Sequence, residues 1–331
     1  MAPSQYTEAF NISRESVPMK RYFLWLHISG LTEKTKISFT SSNSSYSECV
    51  RKHLKKSIPP NNSLSSSNKK SENSRTQITT SSQYTSGSSH SFTRTDFVSC
   101  KVTGDTHGGA IYCTCGSLTI EDCYFTNCQS AQRAGAVFFL CYYSCKDSNN
   151  VFVNSTSNTE TGSFDDWFAT PSVHSSSTYI NSKAGGLNGI MNIEATADIT
   201  VSSCIFINGS TPHSSGLLNL AKITGLAIIS NSIFSKGSAS SYGGGFGTFG
   251  DFTNNVRPRF SFCFFCNNVC SNNNRGADFD ANGNVGSLFS KEQILHCFSS
   301  SPGLRIYIEG KSNSVVDNWM HQRYTDILQC R

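Results

Sequence analysis

Hydrophobic and polar residues in this chain alternate in short bursts with a period of two, as in Leu118-Thr119-Ile120 and Ile199-Thr200-Val201, which predicts strands of four to six residues rather than helices. Aromatic anchors punctuate the bursts at Phe97, Phe125, Phe152, Tyr179, Phe206, Phe234, Phe265 and, more weakly, Phe298, spaced by 28, 27, 27, 27, 28, 31 and 33 residues. Most are followed two places later by asparagine, at Asn127, Asn154, Asn181, Asn208 and Asn267. Glycine opens an apolar strand about ten residues after most anchors, at Gly108-Gly109-Ala110-Ile111, Gly135-Ala136-Val137-Phe138, Gly185-Gly186-Leu187, Gly216-Leu217-Leu218, Gly244-Gly245-Phe246 and Gly276-Ala277-Asp278-Phe279. A further strand precedes the anchor, beginning near Leu118, Asp198 and Leu226.

A fixed period of this length means a stacked repeat, and three short strands with their turns fill about 27 residues. Four-stranded propeller blades need roughly 40 residues, so the period predicts an all-β fold, a right-handed parallel β-helix of seven or eight coils, 27–31 residues each. Each coil lies about 4.8 Å above the last, so anchors stack inside. Asparagine two places on then falls at a corner, where it can bond a turn and ladder with its neighbours. The expected organisation is an N-terminal strand or cap over 1–40, a flexible Ser/Asn/Lys-rich segment over 41–91, the β-helix over 92–310, and a C-terminal cap over 311–331 that covers the open end of the stack.

Composition supports strands: charged residues are 15% of the chain, while 23 Phe and 12 Tyr accompany 25 Gly. The net charge of +5 is concentrated between Ser41 and Thr95, where eight basic residues face two acidic ones, so the repeat carries no basic face and no nucleic-acid partner is expected. No stretch approaches the roughly 20 apolar residues of a spanning helix. The first residues do not form a signal peptide, whereas Met19-Lys20-Arg21 followed by Y-F-L-W-L-H-I would resemble one if translation began at Met19.

F-T-N at Phe125 followed by G-G-A-I-Y-type strands is similar to the F-x-x-N and G-G-A-I repeats of the polymorphic outer-membrane-protein family and of β-helix surface proteins of parasitic protists. The resemblance covers about residues 92–310. It implies a pectin-lyase-like fold class, a secreted or cell-surface location and a role in adhesion. The expected function is therefore a non-enzymatic structural or adhesion protein that offers a face to a glycan or protein ligand. The alternative is a carbohydrate-active enzyme, a polysaccharide lyase or glycoside hydrolase on the same scaffold.

Candidate chemistry is sparse. Asp278-Phe279-Asp280-Ala281-Asn282-Gly283-Asn284 matches the opening half of a calcium loop, with oxygen ligands at positions 1, 3 and 5 and glycine at 6, but Phe289 stands where the bidentate Glu belongs. Asp278, Asp280 and Asn282 are thus the candidate binding residues, for sugar hydroxyls or Ca²⁺; no other cofactor is expected. Cys263-x-x-Cys266-x-x-x-Cys270 lacks the second ligand pair a zinc site needs. The repeat-locked cysteines, Cys123, Cys204 and Cys263 before anchors and Cys100 and Cys128 after them, read as small inward apolar residues, with inter-coil disulfides open if the chain is exported. Asp165-Asp166 falls in the loop between Phe152 and Tyr179, and with His107 and Arg305 supplies no recognised catalytic arrangement. Sequons stand at Asn11, Asn43, Asn61, Asn154 and Asn208.

Overall fold

The glycine-opened strands, the strands before the anchors and the anchor strands each pair with their own equivalents one coil away, and this repeated parallel pairing builds the repeat region. A computed structural model describes residues 21–26, 35–40, 75–84, 89–140, 143–169, 171–194, 197–249, 258–282, 289–299, 301, 304–312, 315–316 and 319. The chain divides into two compact units. One contains an antiparallel hairpin, Arg21–Leu26 paired with Thr35–Thr40. The other, Asn73–Asp326, is a parallel β-solenoid of about seven turns of roughly 27 residues.

Three long sheets run along the solenoid. The glycine sheet has nine strands, exemplified by Ile111–Cys113, Val137–Leu140, Phe164–Trp167, Met191–Glu194 and Leu218–Ala221. The serine sheet has eight, including Ser117–Glu121, Cys145–Ser148, Ser172–Ser175, Ile199–Ser202 and Ala227–Ser230. The anchor sheet has nine strands of two to four residues, such as Tyr124–Thr126 and Thr178–Ile180. Two-residue strands, Gln129–Ser130 among them, follow the anchors and form short corner sheets, a fourth element per turn that the alternation was too brief to reveal.

The anchors stack as expected. Seven rings from Phe97 to Phe265 lie in one column with successive centroids 4.4–5.1 Å apart and planes within 12° of parallel. All seven are fully buried. The column stops there, because Phe265 pairs with Ser299 while Phe298 pairs with Phe264 and so sits one place out of register. Phe298 is therefore not the eighth anchor; a serine takes that place.

The corner asparagines also ladder. Asn154 donates to the Asn127 carbonyl oxygen at 3.0 Å, Asn181 to Asn154 at 3.2 Å and Asn208 to Asn181 at 2.7 Å. Each has a φ of 55–57°, the left-handed conformation that asparagine tolerates better than most residues and that turns the chain sharply out of the anchor strand. A glycine column marks the entry to the glycine sheet: Gly109, Gly135, Gly162, Gly189, Gly216 and Gly244. A Cβ on any of the first five would lie well inside 3.0 Å of the next glycine's carbonyl oxygen, so the coils can close only without one. The register makes Gly189, not Gly185-Gly186, the glycine of its turn, and adds Gly162, which no apolar run had marked.

The solenoid also begins earlier than the aromatic period indicates. Thr76–Ile78, Ser82–Tyr84 and Ser89–Thr93 already pair with Thr95–Val98, Ile111–Cys113 and Ser117–Glu121, so a turn's worth of strands falls within the stretch read as flexible. Most of the expected caps, 1–40 and 311–331, and residues 41–74 lie outside the described residues.

Candidate functional site

Asp165 and Asp166 do not lie in a loop. They belong to Phe164–Trp167, held in register between Val137–Leu140 and Met191–Glu194, and strand alternation sends them to opposite faces. Asp166 points inward with Phe164, and Asp165 points outward in the column of Phe138 and Asn192. The adjacent acidic pair thus becomes part of two separate sites.

The interior site replaces apolar side chains with polar ones over two coils. Asp147 and His174 occupy the inward column that holds Ile120 on one side and Val201 on the other. His174 Nδ1 lies 3.3 Å from Asp147 Oδ2, and its Nε2 lies 3.5 Å from Asp166 Oδ2 and 3.0 Å from Ser172 Oγ. Tyr179, the one anchor with a hydroxyl, donates it to Asp147 Oδ2. Asn150 Nδ2 donates to the other Asp147 oxygen and to the Ile120 carbonyl, and Ser172 Oγ donates to Asp166. Asp147, Asn150, Asp166, Ser172, His174 and Tyr179 are all fully buried. Burial alone would drive the proton off His174, but hydrogen bonds and charge from Asp147 and Asp166 outweigh it and lift its pKa to about 9. Cys145 Sγ, an Asp166 oxygen and a His174 nitrogen lie within 4.8 Å of one another, the one such group of three metal-ligating residues among the described residues.

On the outer face of the glycine sheet, two arginines two places before the glycine-column position form matching clusters. Arg133 pairs with Glu160, approaches Asp165 Oδ2 at 3.8 Å and lies over the Trp167 ring at 3.8 Å. Arg275, five turns further along, lies 3.5 Å from Asp280 Oδ1 and covers the rings of Tyr242 and Tyr307 at 4.6 and 4.4 Å. Between them Asn219 donates to Asn192 at 2.7 Å and Asn192 to Asp165 at 2.8 Å. Asp165 and Asp280 are fully buried beneath these partners, and burial raises their pKa values to about 6 and about 7 against the pull of the arginines. His107 stacks on Phe138 at this face, its pKa lowered by burial and by Arg133.

The predicted binding residues divide between two environments. Asp278 receives hydrogen bonds from Asn268, Ser299 and Ser301 in a fully buried corner, whereas Asp280 and Asn282 share Arg275, whose Nη1 donates to Asn282 Oδ1 at 2.7 Å. Arg275 thus supplies the positive charge that a bound cation would bring to Asp280 and Asn282. Gly283 and Asn284 of the loop motif lie outside the described residues. Arg305 Nε donates to the Ser301 carbonyl.

The outer face of the serine sheet is of another kind. One column runs Ser148, Ser175, Ser202, Ser230, Ser261, and beside it run Thr119, Lys146, Val173, Thr200, Ile228. Apart from the buried Ser148 these positions are half-buried or exposed, in successive coils and without a bulge.

The repeat-locked cysteines Cys100, Cys123, Cys128, Cys204 and Cys263 are free and buried in the core. Among the described residues the disulfide is Cys113–Cys115, within one turn rather than between turns. Of Cys263, Cys266 and Cys270, Cys263 is in the core cluster and Cys270 is half-buried on the corner strand Val269–Cys270. No helix among the described residues is long and apolar enough to cross a membrane. No family model, curated protein or solved structure matches this chain.

Proposed function

We propose that the solenoid is a non-enzymatic binding and structural protein that presents the flat Ser/Thr face of the serine sheet to a glycan or protein ligand. The observation that carries this reading is the contrast between its outer faces. The charged groups of the glycine sheet are paired and largely closed off, with Asp165 and Asp280 fully buried. The serine sheet keeps its hydroxyls in straight, partly open columns at the coil repeat. Regularly spaced hydroxyls and small apolar side chains suit an extended ligand that repeats along the axis, such as a polysaccharide or an added strand. Right-handed coiling, kinship with polymorphic outer-membrane-protein repeats and a secreted or surface location belong to the same proposal.

The test is a glycan array and a pull-down against extracellular proteins, with Ser202→Lys/Ser230→Lys as the disabling variant. Binding that disappears in this double variant while folding is kept supports the reading; binding that survives it unchanged sinks it.

A second reading, a carbohydrate-active enzyme, is favoured by the Arg133, Glu160, Asp165 and Trp167 cluster, which joins a carboxyl of raised pKa to a basic group and an aromatic platform. Release of oligosaccharides from polygalacturonate by the wild-type chain, abolished by Asp165→Asn, would establish it in place of the first.

A further inference from the structure

We propose that Cys145, Asp166 and His174 form a zinc site inside the solenoid, filled as the chain folds. The chemistry of the donors points to this metal class. A thiol, an imidazole and a carboxylate meet within 4.8 Å in a fully enclosed space, and this mixed sulfur, nitrogen and oxygen set suits Zn²⁺ and disfavours Ca²⁺ or Mg²⁺, which require oxygen ligands.

Three independent features of the surroundings fit a bound cation. First, Asp166 Oδ1 is buried and has no hydrogen-bond partner; Asp165 Oδ2 and Asp280 Oδ1 also lack one but each faces an arginine, at 3.8 and 3.5 Å, and for Asp166 Oδ1 a metal would supply that charge. Second, His174 is oriented as a metal-bound histidine is. Its Nδ1 faces Asp147, leaving Nε2 toward Asp166, which is the carboxylate–histidine–zinc order in which the outer carboxylate fixes the tautomer. Asp147 is itself held by Tyr179 and Asn150, so that outer shell is completely built. Third, the thiolate and the Asp166 carboxylate neutralise Zn²⁺, while the Asp147 carboxylate accepts hydrogen bonds from His174 Nδ1, Tyr179 and Asn150. Binding releases two protons, one from the Cys145 thiol and one from His174 Nε2, and involves no other step.

Because every ligand is buried, the ion enters while the coils assemble and does not exchange freely afterwards. The site therefore joins three strands, Cys145–Ser148, Phe164–Trp167 and Ser172–Ser175, through one ion.

The test uses the full-length chain folded with zinc and freed of loose metal by gel filtration. Elemental analysis should find one zinc per chain, and X-ray absorption should find a shell of one sulfur with nitrogen and oxygen. Replacing zinc by Co²⁺ should give a thiolate-to-cobalt charge-transfer band. Cys145→Ser should remove the band and the zinc, while Cys204→Ser, another fully buried thiol, should keep both. Folded wild-type chain without zinc, or with zinc bound by two or more sulfurs, overturns the proposal. So does a Cys145→Ser chain that folds and retains its zinc. If Cys145→Ser does not fold, the sulfur count of the wild-type shell decides alone.

Discussion

Tyr179 differs from its six ring neighbours by one oxygen, and that oxygen has a place to go. Its hydroxyl donates to Asp147 inside the core, so Tyr179→Phe should leave the stack intact and leave a buried carboxylate short of one donor, costing about 1–3 kcal/mol in denaturant unfolding. A neutral or stabilising effect would show that Asp147 does not depend on it. The buried carboxylates at the far end set a pH dependence of definite sign. Burial raises Asp278 to about 6 and Asp280 to about 7, above the unfolded value near 3.9, so between about pH 4 and pH 7 the native state holds protons the unfolded chain has released. Their contribution is present at the acid end of that window and is lost as pH rises through it. The thermal midpoint should therefore fall between about pH 4 and about pH 7, and fall less in Asp278→Asn and Asp280→Asn; an equal slope in those variants would assign the pH effect elsewhere.

At the scale of the strand, the two tightest constraints are the ring column and the glycine column. Phe206→Ala should cost about 3–5 kcal/mol, since it opens a cavity between Tyr179 and Phe234 that neither parallel ring can fill without leaving its own coil. Gly189→Ala should be comparably harmful for the opposite reason, because its methyl would overlap the Gly216 carbonyl, whereas Gly104→Ala, with open space around it but a φ of +77°, should cost only about 1–2 kcal/mol for its left-handed backbone. A solubility and urea-midpoint comparison of the three checks the order. These same columns explain what could be read in advance. Phe, Asn and Gly each do a job no other side chain does as well, so their spacing disclosed the coil and two of its three long strands. The strand Phe164–Trp167 stayed hidden because counting apolar residues assumes that inward means apolar, and here Asp166, Asp147 and His174 meet one another inside. Its glycine, Gly162, was the available clue, since it stands 27 residues after Gly135 and 27 before Gly189. The first strands, Thr76–Ile78 and Ser82–Tyr84, lack both an anchor ring and a column glycine, and are defined by the coil they pair with rather than by their own pattern.

For the solenoid as a whole, contacts are between neighbouring turns, so its stability is approximately a sum over turns and interfaces. Removing residues 182–208 joins Asn181 to Gly209 and leaves the interior Asp147, Asp166 and His174 cluster in place. The shortened chain should fold to a solenoid one turn shorter, with β-rich circular dichroism and a single melting transition; an unfolded product would show that turns are not interchangeable units. The regular spacing has a consequence beyond folding. Four corner asparagines stand 27 residues apart, so recombination between neighbouring stretches of the gene can add or drop 27 codons in frame and still leave ring over ring and glycine over glycine. Length in this protein is then a heritable variable that changes in whole steps, and natural isolates should include alleles that differ by a single turn.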